Sequence, residues 1–310
     1  MVSRRFVIAL PALACCEGWL GGFAALPVTG ARRTAVIFSS LLEPCTEAVE
    51  GMRLRLPGDD ASLAVLDLAR PTFAADMAQE VTRKPAVLVA VGSDALRAVL
   101  GRTYAAITVS TMILEADHPV TSQHGQVRAA VYLDIPIRTQ VTELRRLFPE
   151  RARIGVIRNP SRGDPTAAQI HAQSSETNAL QVVDCATPDE LLPAFLSLRK
   201  KVDFVICLPD GGLYNGATAR PLIMASLENR LPIAGFSPAF LRAGAAVAVY
   251  PDYKAVGQQT ADLVRRCLGE GDCAGGESPR RLKVGVNAKV LRMLGIEFAA
   301  ADHPELVIVR

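Results

Sequence analysis

Short apolar runs alternate with amphipathic segments along most of this chain, and that alternation limits its fold more than any other feature. From Arg33 onward the runs "TAVIF" (34–38), "SLAVLDL" (62–68), "AVLVAV" (86–91) and "AAITVS" (105–110) are too short for helices and rich in β-branched residues. Helices fit between them at 43–55, 72–83 and 93–101. This is the rhythm of βαβ units and predicts parallel sheets covered by helices. After a polar stretch, "EADHPVTSQHGQ", the rhythm restarts with "VRAAVYL" (127–133), a helix at 136–147, "RIGVI" (153–157), a helix at 164–178 and "LQVVDC" (180–185). It continues with a helix at 188–200, "FVICL" (204–208), a helix at 216–229 and "PIAGF" (232–236).

The pieces after residue 236 are too few for a third unit: "AAVAVY" (245–250), a helix at 253–268, "LKVGV" (282–286) and a short helix at 288–294. They must complete sheets already begun. The expected fold class is therefore α/β, two Rossmann-like lobes with parallel sheets joined by a multi-crossover hinge. The boundaries expected are 31–117 plus 246–272 for the N-terminal lobe and 118–245 plus 280–298 for the C-terminal lobe. A tail, 299–310, ends in "LVIVR", which reads as an edge strand or as a disordered end.

Arg4 and Arg5 precede the apolar run "FVIALPALACC", the layout of an export signal, and Gly22 and Ala24 supply small side chains for cleavage near residue 24. The run is too short to span a bilayer and Glu17 interrupts it. Residues 1–24 are therefore read as a signal peptide and the mature chain as periplasmic or extracytoplasmic. A lipid anchor would use Cys15 or Cys16, whose preceding residues fit a lipobox poorly. In an oxidising compartment Cys267 and Cys273, which flank the turn "LGEGD", could form a local disulfide. Cys185 and Cys207 read as small buried groups at strand ends.

At a formal net charge of +3, with arginines scattered and only 5% aromatic residues, the chain lacks the basic stripe and stacking platforms of a nucleic-acid binder. Neither G-x-G-x-x-G nor the P-loop pattern follows a strand, and no cysteine or histidine has zinc-ligand spacing, so no cofactor and no metal are expected. Ser93 stands between a strand and a helix as a nucleophile would, but Val91 and Ala95 replace the glycines of G-x-S-x-G. None of His118, His124, His171 and His303 follows a strand end from which it could serve as base. An enzyme is not expected.

The strand ends carry short polar residues instead: Ser39 and Ser40 after the first strand, Ser93 and Asp94 after the third, Ser110 after the fourth. In the second unit they are Asn159 and Ser161, then Asp210, then Ser237 beside Phe236. Tyr250 and Asp252 mark a crossover, and Tyr214 and Phe236 are candidate aromatic walls. Polar groups and helix N-termini at the carboxyl edges of parallel strands make a ligand site. The same side chains are also preferred N-caps, so each has a capping role open to it.

The second half resembles the ABC-transporter substrate-binding proteins that include tryptophan- and phenylalanine-binding lipoproteins. The matching residues are "ELRRLFPERARIGVIRNPS" (143–161), "VDFVICLPD" (202–210), "LPIAGFSPAFLRAGAAVAVYPDYKAVGQQTADLVRRCLGEG" (231–271) and "VGVNAKVLRMLGI" (284–296). The first lobe matches more loosely, in "PAVLVAVGSDALRAVL" (85–100). The resemblance implies a type I periplasmic binding fold, with Ser93, Asn159, Ser161, Asp210 and Asp252 lining an inter-lobe cleft. It implies a small polar, amino-acid-like ligand, an ABC permease as membrane partner, and a monomer. Where the family commonly carries an acid after the strand near residue 236, this chain has Ser237 and Pro238. The alternatives are an exported sensor with no transport role and, behind it, a Rossmann-like enzyme.

Overall fold

The computed structural model describes residues 33–56, 62–100, 106–118, 127–151, 153–161, 180–269 and 273–309. The expected signal peptide (1–24) and the helix expected at 164–178 lie outside them. The first sheet contains β1 (Thr34–Phe38), β2 (Leu63–Asp67), β3 (Val87–Val91), β4 (Ile107–Ile113), β5 (Val127–Tyr132) and β11 (Gly275–Glu277), in the order β11-β5-β4-β3-β1-β2, all parallel. The second contains β6 (Ile154–Arg158), β7 (Gln181–Asp184), β8 (Phe204–Cys207), β9 (Ile233–Gly235), β10 (Val247–Pro251), β12 (Leu282–Asn287) and β13 (Val307–Val309). Their order is β13-β12-β10-β9-β8-β6-β7, with only β10 and β12 antiparallel among the described pairs.

Each sheet is buried on both faces, which is why its strands read as continuous apolar runs. On the first sheet Val36, Val89 and Val109 face α1 (Glu43–Arg53) and α8 (Tyr253–Gly269). Ile37, Leu88 and Ala90 face α2 (Phe73–Thr82) and α3 (Ser93–Leu100). On the second, Val156, Ile206 and Val286 meet α4 (Ile137–Leu147) and α9 (Ala288–Met293). Ile157, Val205 and Ile233 meet α5 (Leu191–Ser197), α6 (Ala219–Glu228) and α7 (Pro238–Ala243). Helices α1 and α8 touch backbone to backbone: a methyl group at Gly51 would overlap the carbonyl of Lys254, and one at Gly257 that of Ala48.

Two strands fall in the opposite sheet from the one the sequence suggested. Strand β5, expected to open the second lobe, extends the first sheet beside β4. The described link after β4 holds a three-residue turn, Glu115–Asp117, rather than a full helix, so the rhythm only seemed to restart. Strand β10, expected in the first lobe, pairs with β9 in the second sheet. It is α8, not β10, that returns to the first half. The tail supplies an edge strand, β13, parallel to β12. Strand β11 and helix α7 were not foreseen: one is a glycine-rich triplet and the other is six residues long. Cys267 and Cys273 are joined in a disulfide at the end of α8, while Cys45, Cys185 and Cys207 are free and buried.

Candidate functional site

The chain passes between the two sheets three times: from β5 to α4 over 133–136, from β10 to α8 at 251–253, and from β11 to β12 over 278–281. Strands β5, β10 and β11 each leave at their carboxyl ends. Because β12 runs antiparallel to β10, with Leu282 opposite Pro251, its first residue starts there too. The carboxyl edges of both sheets are thus turned toward the crossings, where ligands of parallel α/β sheets bind.

On the second sheet the register pairs Ile157 with Cys207 and so sets Asn159 beside Asp210. Asn159 Nδ2 donates to Asp210 Oδ2 at 2.9 Å, while Asn159 Oδ1 accepts from the backbone N–H and the hydroxyl of Ser161, at 3.1 and 2.6 Å. Asp210 Oδ1 accepts from the N–H groups of Gly212 (2.7 Å) and Leu213 (3.2 Å). These three residues therefore form one network. Only 5% exposed, Asp210 ties its own turn and the neighbouring strand end together. Ser237 caps α7, accepting from the Phe240 N–H at 3.1 Å.

On the first sheet Ser39 is buried at the end of β1, and Ser40 is exposed, its N–H donating to Asp67 Oδ1 at 3.0 Å. Burial would raise the Asp67 carboxyl, but bonds from Ser40 and Ala69 and the charge of Arg70 hold it below its ordinary range. Gly92, at φ +88°, turns β3 into α3, which Ser93 and Asp94 open. Asp94 is exposed and pairs with Arg97. Beside Gly92, burial first and the Asp94 charge second push the Cys45 thiol up to about 11, so it stays protonated.

Several expected site residues lie elsewhere. Ser110 does not follow β4 but sits inside it, fully buried, because the strand runs on to Ile113 through a bulge at Met112 (φ +58°). Tyr214 is no open wall. It is 9% exposed, with its ring 5.6 Å from Phe236 and 5.8 Å from Phe240 in the core behind β8 and β9. Phe236 stacks on Phe240 at 5.1 Å and is partly buried against the same core. Tyr250 is 4% exposed and packs on Leu241 and Ala248. Asp252 does stand at a crossing: its Oδ1 accepts from the Ala255 N–H at 3.3 Å and lies 3.4 Å from Lys283 Nζ.

Residues the sequence reading passed over complete the crossings. Asp134 Oδ2 accepts the Glu115 N–H at 2.7 Å, and burial, with the charges of Glu115 and Asp117, raises its carboxyl. Gln140 Nε2 donates to the Ile135 carbonyl at 3.0 Å. Gln259, 4% exposed on α8, donates to Ser278 O (3.1 Å) and accepts from the Arg280 N–H (3.0 Å). A glutamine on the buried face of an amphipathic helix was the one legible signal, and it appears twice, at Gln140 and Gln259. Among the described residues no group of three or more His, Cys, Asp or Glu is placed to hold a metal ion.

The architecture recurs in solved structures. A conserved domain protein from Vibrio cholerae aligns with TM-score 0.60 at 20% identity, over 90% of this chain and all of that one. The ligand-free, open structure of a substrate-binding protein with adhesive properties from Clostridium difficile aligns with TM-score 0.67 at 15% identity, over 90% and 99%. A Streptococcus pneumonia ABC domain in complex with L-Trp aligns with TM-score 0.57 at 15% identity, over 89% and 99%. These likenesses carry the fold, that of type I periplasmic binding proteins. None of the curated proteins compared with the chain matches it. The model of the family described as ABC transporter substrate binding protein matches residues 69–300, most of both sheets and all three crossings, and the chain belongs to that family.

Proposed function

We propose that this protein is the extracytoplasmic solute-binding component of an ABC transporter. It closes its two halves over a small polar, amino-acid-like molecule and passes it unchanged to a membrane permease. The observation that carries this reading is the triple crossing at the carboxyl edges, because it lets two polar rims approach or separate without breaking either sheet. The Asn159–Ser161–Asp210 network offers a fixed rim, and Ser40, Ser93 and Asp94 offer the facing one. Asp252 stands at the pivot. Ligand contacts from both rims would favour the closed form by their differential affinity, and no catalytic step is needed.

Export supports the same reading. The amino-terminal segment has the layout of a signal, the Cys267–Cys273 disulfide suits an oxidising compartment, and among the described residues no helix is long and apolar enough to cross a membrane. Native mass spectrometry of protein purified from the exported fraction, followed by thermal shift with the twenty amino acids, tests the proposal. The expected result is a retained small molecule, or a rise in melting temperature with one chemical class, together with a fall in radius of gyration. Turnover of the bound molecule, or no small-molecule affinity alongside a stable protein partner, would overturn it.

A further inference from the structure

The hydrogen bonds at the three crossings divide residues by the half that holds them. At the first, Leu133 N donates to Ile113 O and Asp134 takes the Glu115 N–H, both on the first half, whereas the Ile135 carbonyl is held by Gln140 of α4 on the second. At the second, Pro251 pairs with Leu282 in the second sheet, while Asp252 already caps α8 on the first half. At the third, Gln259 of α8 holds Ser278 and Arg280, and the Arg281 carbonyl accepts from Asp252 N at 3.0 Å; Leu282 is then in the second sheet. The rigid attachments change sides at 134–135, 251–252 and 281–282.

Lys283 belongs to the second sheet, yet its ammonium reaches back to Asp252 across that line. It is also among the charges felt by Glu47 of α1, on the first half. The Glu47 carboxyl is raised by burial, drawn down by Lys283 and pushed up by Glu43, Asp252 and Glu50. Tyr250 and Tyr253 pack on each other nearby, and both phenols feel the charges of Glu47 and of Arg242 on α7. One lysine of the second half thus faces two carboxylates of the first, Asp252 in an ion pair and Glu47 through its field.

We infer that the two halves bend about the peptide positions 134–135, 251–252 and 281–282, and that Lys283 is an ionic latch across this line that sets the balance of arrangements before any ligand binds. The inference rests on the closure mechanism proposed above. It concerns the ligand-free protein, so its test needs no ligand.

Dyes at Gln79→Cys and Lys201→Cys, both exposed and one on each half, report the inter-half distance, since burial keeps Cys45, Cys185 and Cys207 from labelling readily. Lys283→Met should change the ratio of distance populations about two- to five-fold, the range expected of a partly exposed ion pair. Lys283→Arg should leave the ratio near the wild type. Added salt should move the wild type toward Lys283→Met without moving the variant itself. Circular dichroism would check that each variant is folded, and a misfolded Lys283→Met is replaced by Asp252→Asn, which must shift the ratio in the same direction. A folded Lys283→Met with wild-type populations, or a salt response that survives the substitution, overturns the latch. Ligand-induced closure in such a protein would still leave the solute-binding reading standing.

Discussion

At the carboxyl edge of the second sheet, Asn159, Ser161 and Asp210 bond to one another and to the turn that follows β8, whereas at the edge of the first sheet Ser40 and Asp94 lie exposed at the mouths of their helices. The first half takes its rigidity from below the rim. There α1 and α8 meet at Gly51 and Gly257, Thr111 of β4 shares a 2.9 Å hydroxyl bond with Thr260 of α8, and the disulfide closes the end of that helix. The difference teaches that preorganisation and support are placed differently in the two halves. One rim is built into its sheet, and the other is carried on helix ends. Substitutions at the two rims should therefore separate cleanly into effects on stability and effects on ligand affinity.

The largest effect is expected away from either rim. Gly257→Val would push a branched side chain into the Ala48 carbonyl and force α1 and α8 apart, at a cost upwards of about 3 kcal/mol. Urea denaturation measures it. A loss under about 1 kcal/mol would mean that the helix contact does not support the first half.

The rims come next. Asp210→Ala leaves Gly212 N, Leu213 N and Asn159 Nδ2 without their acceptor in a buried site and should destabilise by about 2–3 kcal/mol. Asp94→Ala removes an exposed i,i+3 pair with Arg97 and should cost less than about 1 kcal/mol, its consequence appearing in ligand affinity instead. Equal losses of stability at the two positions would erase the contrast between the rims.

Reducing the Cys267–Cys273 disulfide, or replacing it with Cys267→Ser and Cys273→Ser, should lower stability by about 2 kcal/mol, the loop-entropy value for so short a closure. Its position matters as well, because β11 and the third crossing follow directly. Hydrogen exchange of Gly276 and Glu277, in β11, should quicken more than that of β8 in the other half. Uniform quickening in both halves would show that the disulfide acts on global stability alone.

The sheets were legible in the sequence because a strand buried on both faces must be apolar throughout, as "VLVAV" at 87–91 and "FVIC" at 204–207 are. Their membership was less so, since which sheet β5 or β10 joins depends on contacts between residues far apart in sequence. At the rims, residue type revealed where polar groups stand but not whom they serve: Asp210 reads the same whether it holds a ligand or its own turn. Tyr214 misled because an aromatic after a glycine-rich turn gives no sign of which way its ring swings. Lys283 was invisible for the opposite reason, being an ordinary residue within a strand, and Gln259 showed only as a glutamine on a buried helix face, because the role of each exists only where separate segments meet.

The smallest expected effect turns on how the two edges treat their acids. Asp210 is surrounded by donors, whereas Asp134 shares its surroundings with Glu115 and Asp117, and burial together with those charges raises its carboxyl despite the bond from the Glu115 N–H. The folded protein therefore binds a proton at Asp134 at a pH where the unfolded chain does not, and stability falls as pH rises through the interval between the unfolded and folded values. An asparagine oxygen can accept the same N–H without the charge. Asp134→Asn should thus be at least as stable as the wild type at neutral pH, and its advantage should shrink as the solution is acidified through the raised titration of Asp134, where the wild type regains the neutral carboxyl. Denaturation of both proteins across that range reads the difference directly. An advantage that does not change with pH would place its origin in packing, and a wild type more stable at neutral pH would mean that the ionised Asp134 strengthens the first crossing through its bond to Glu115.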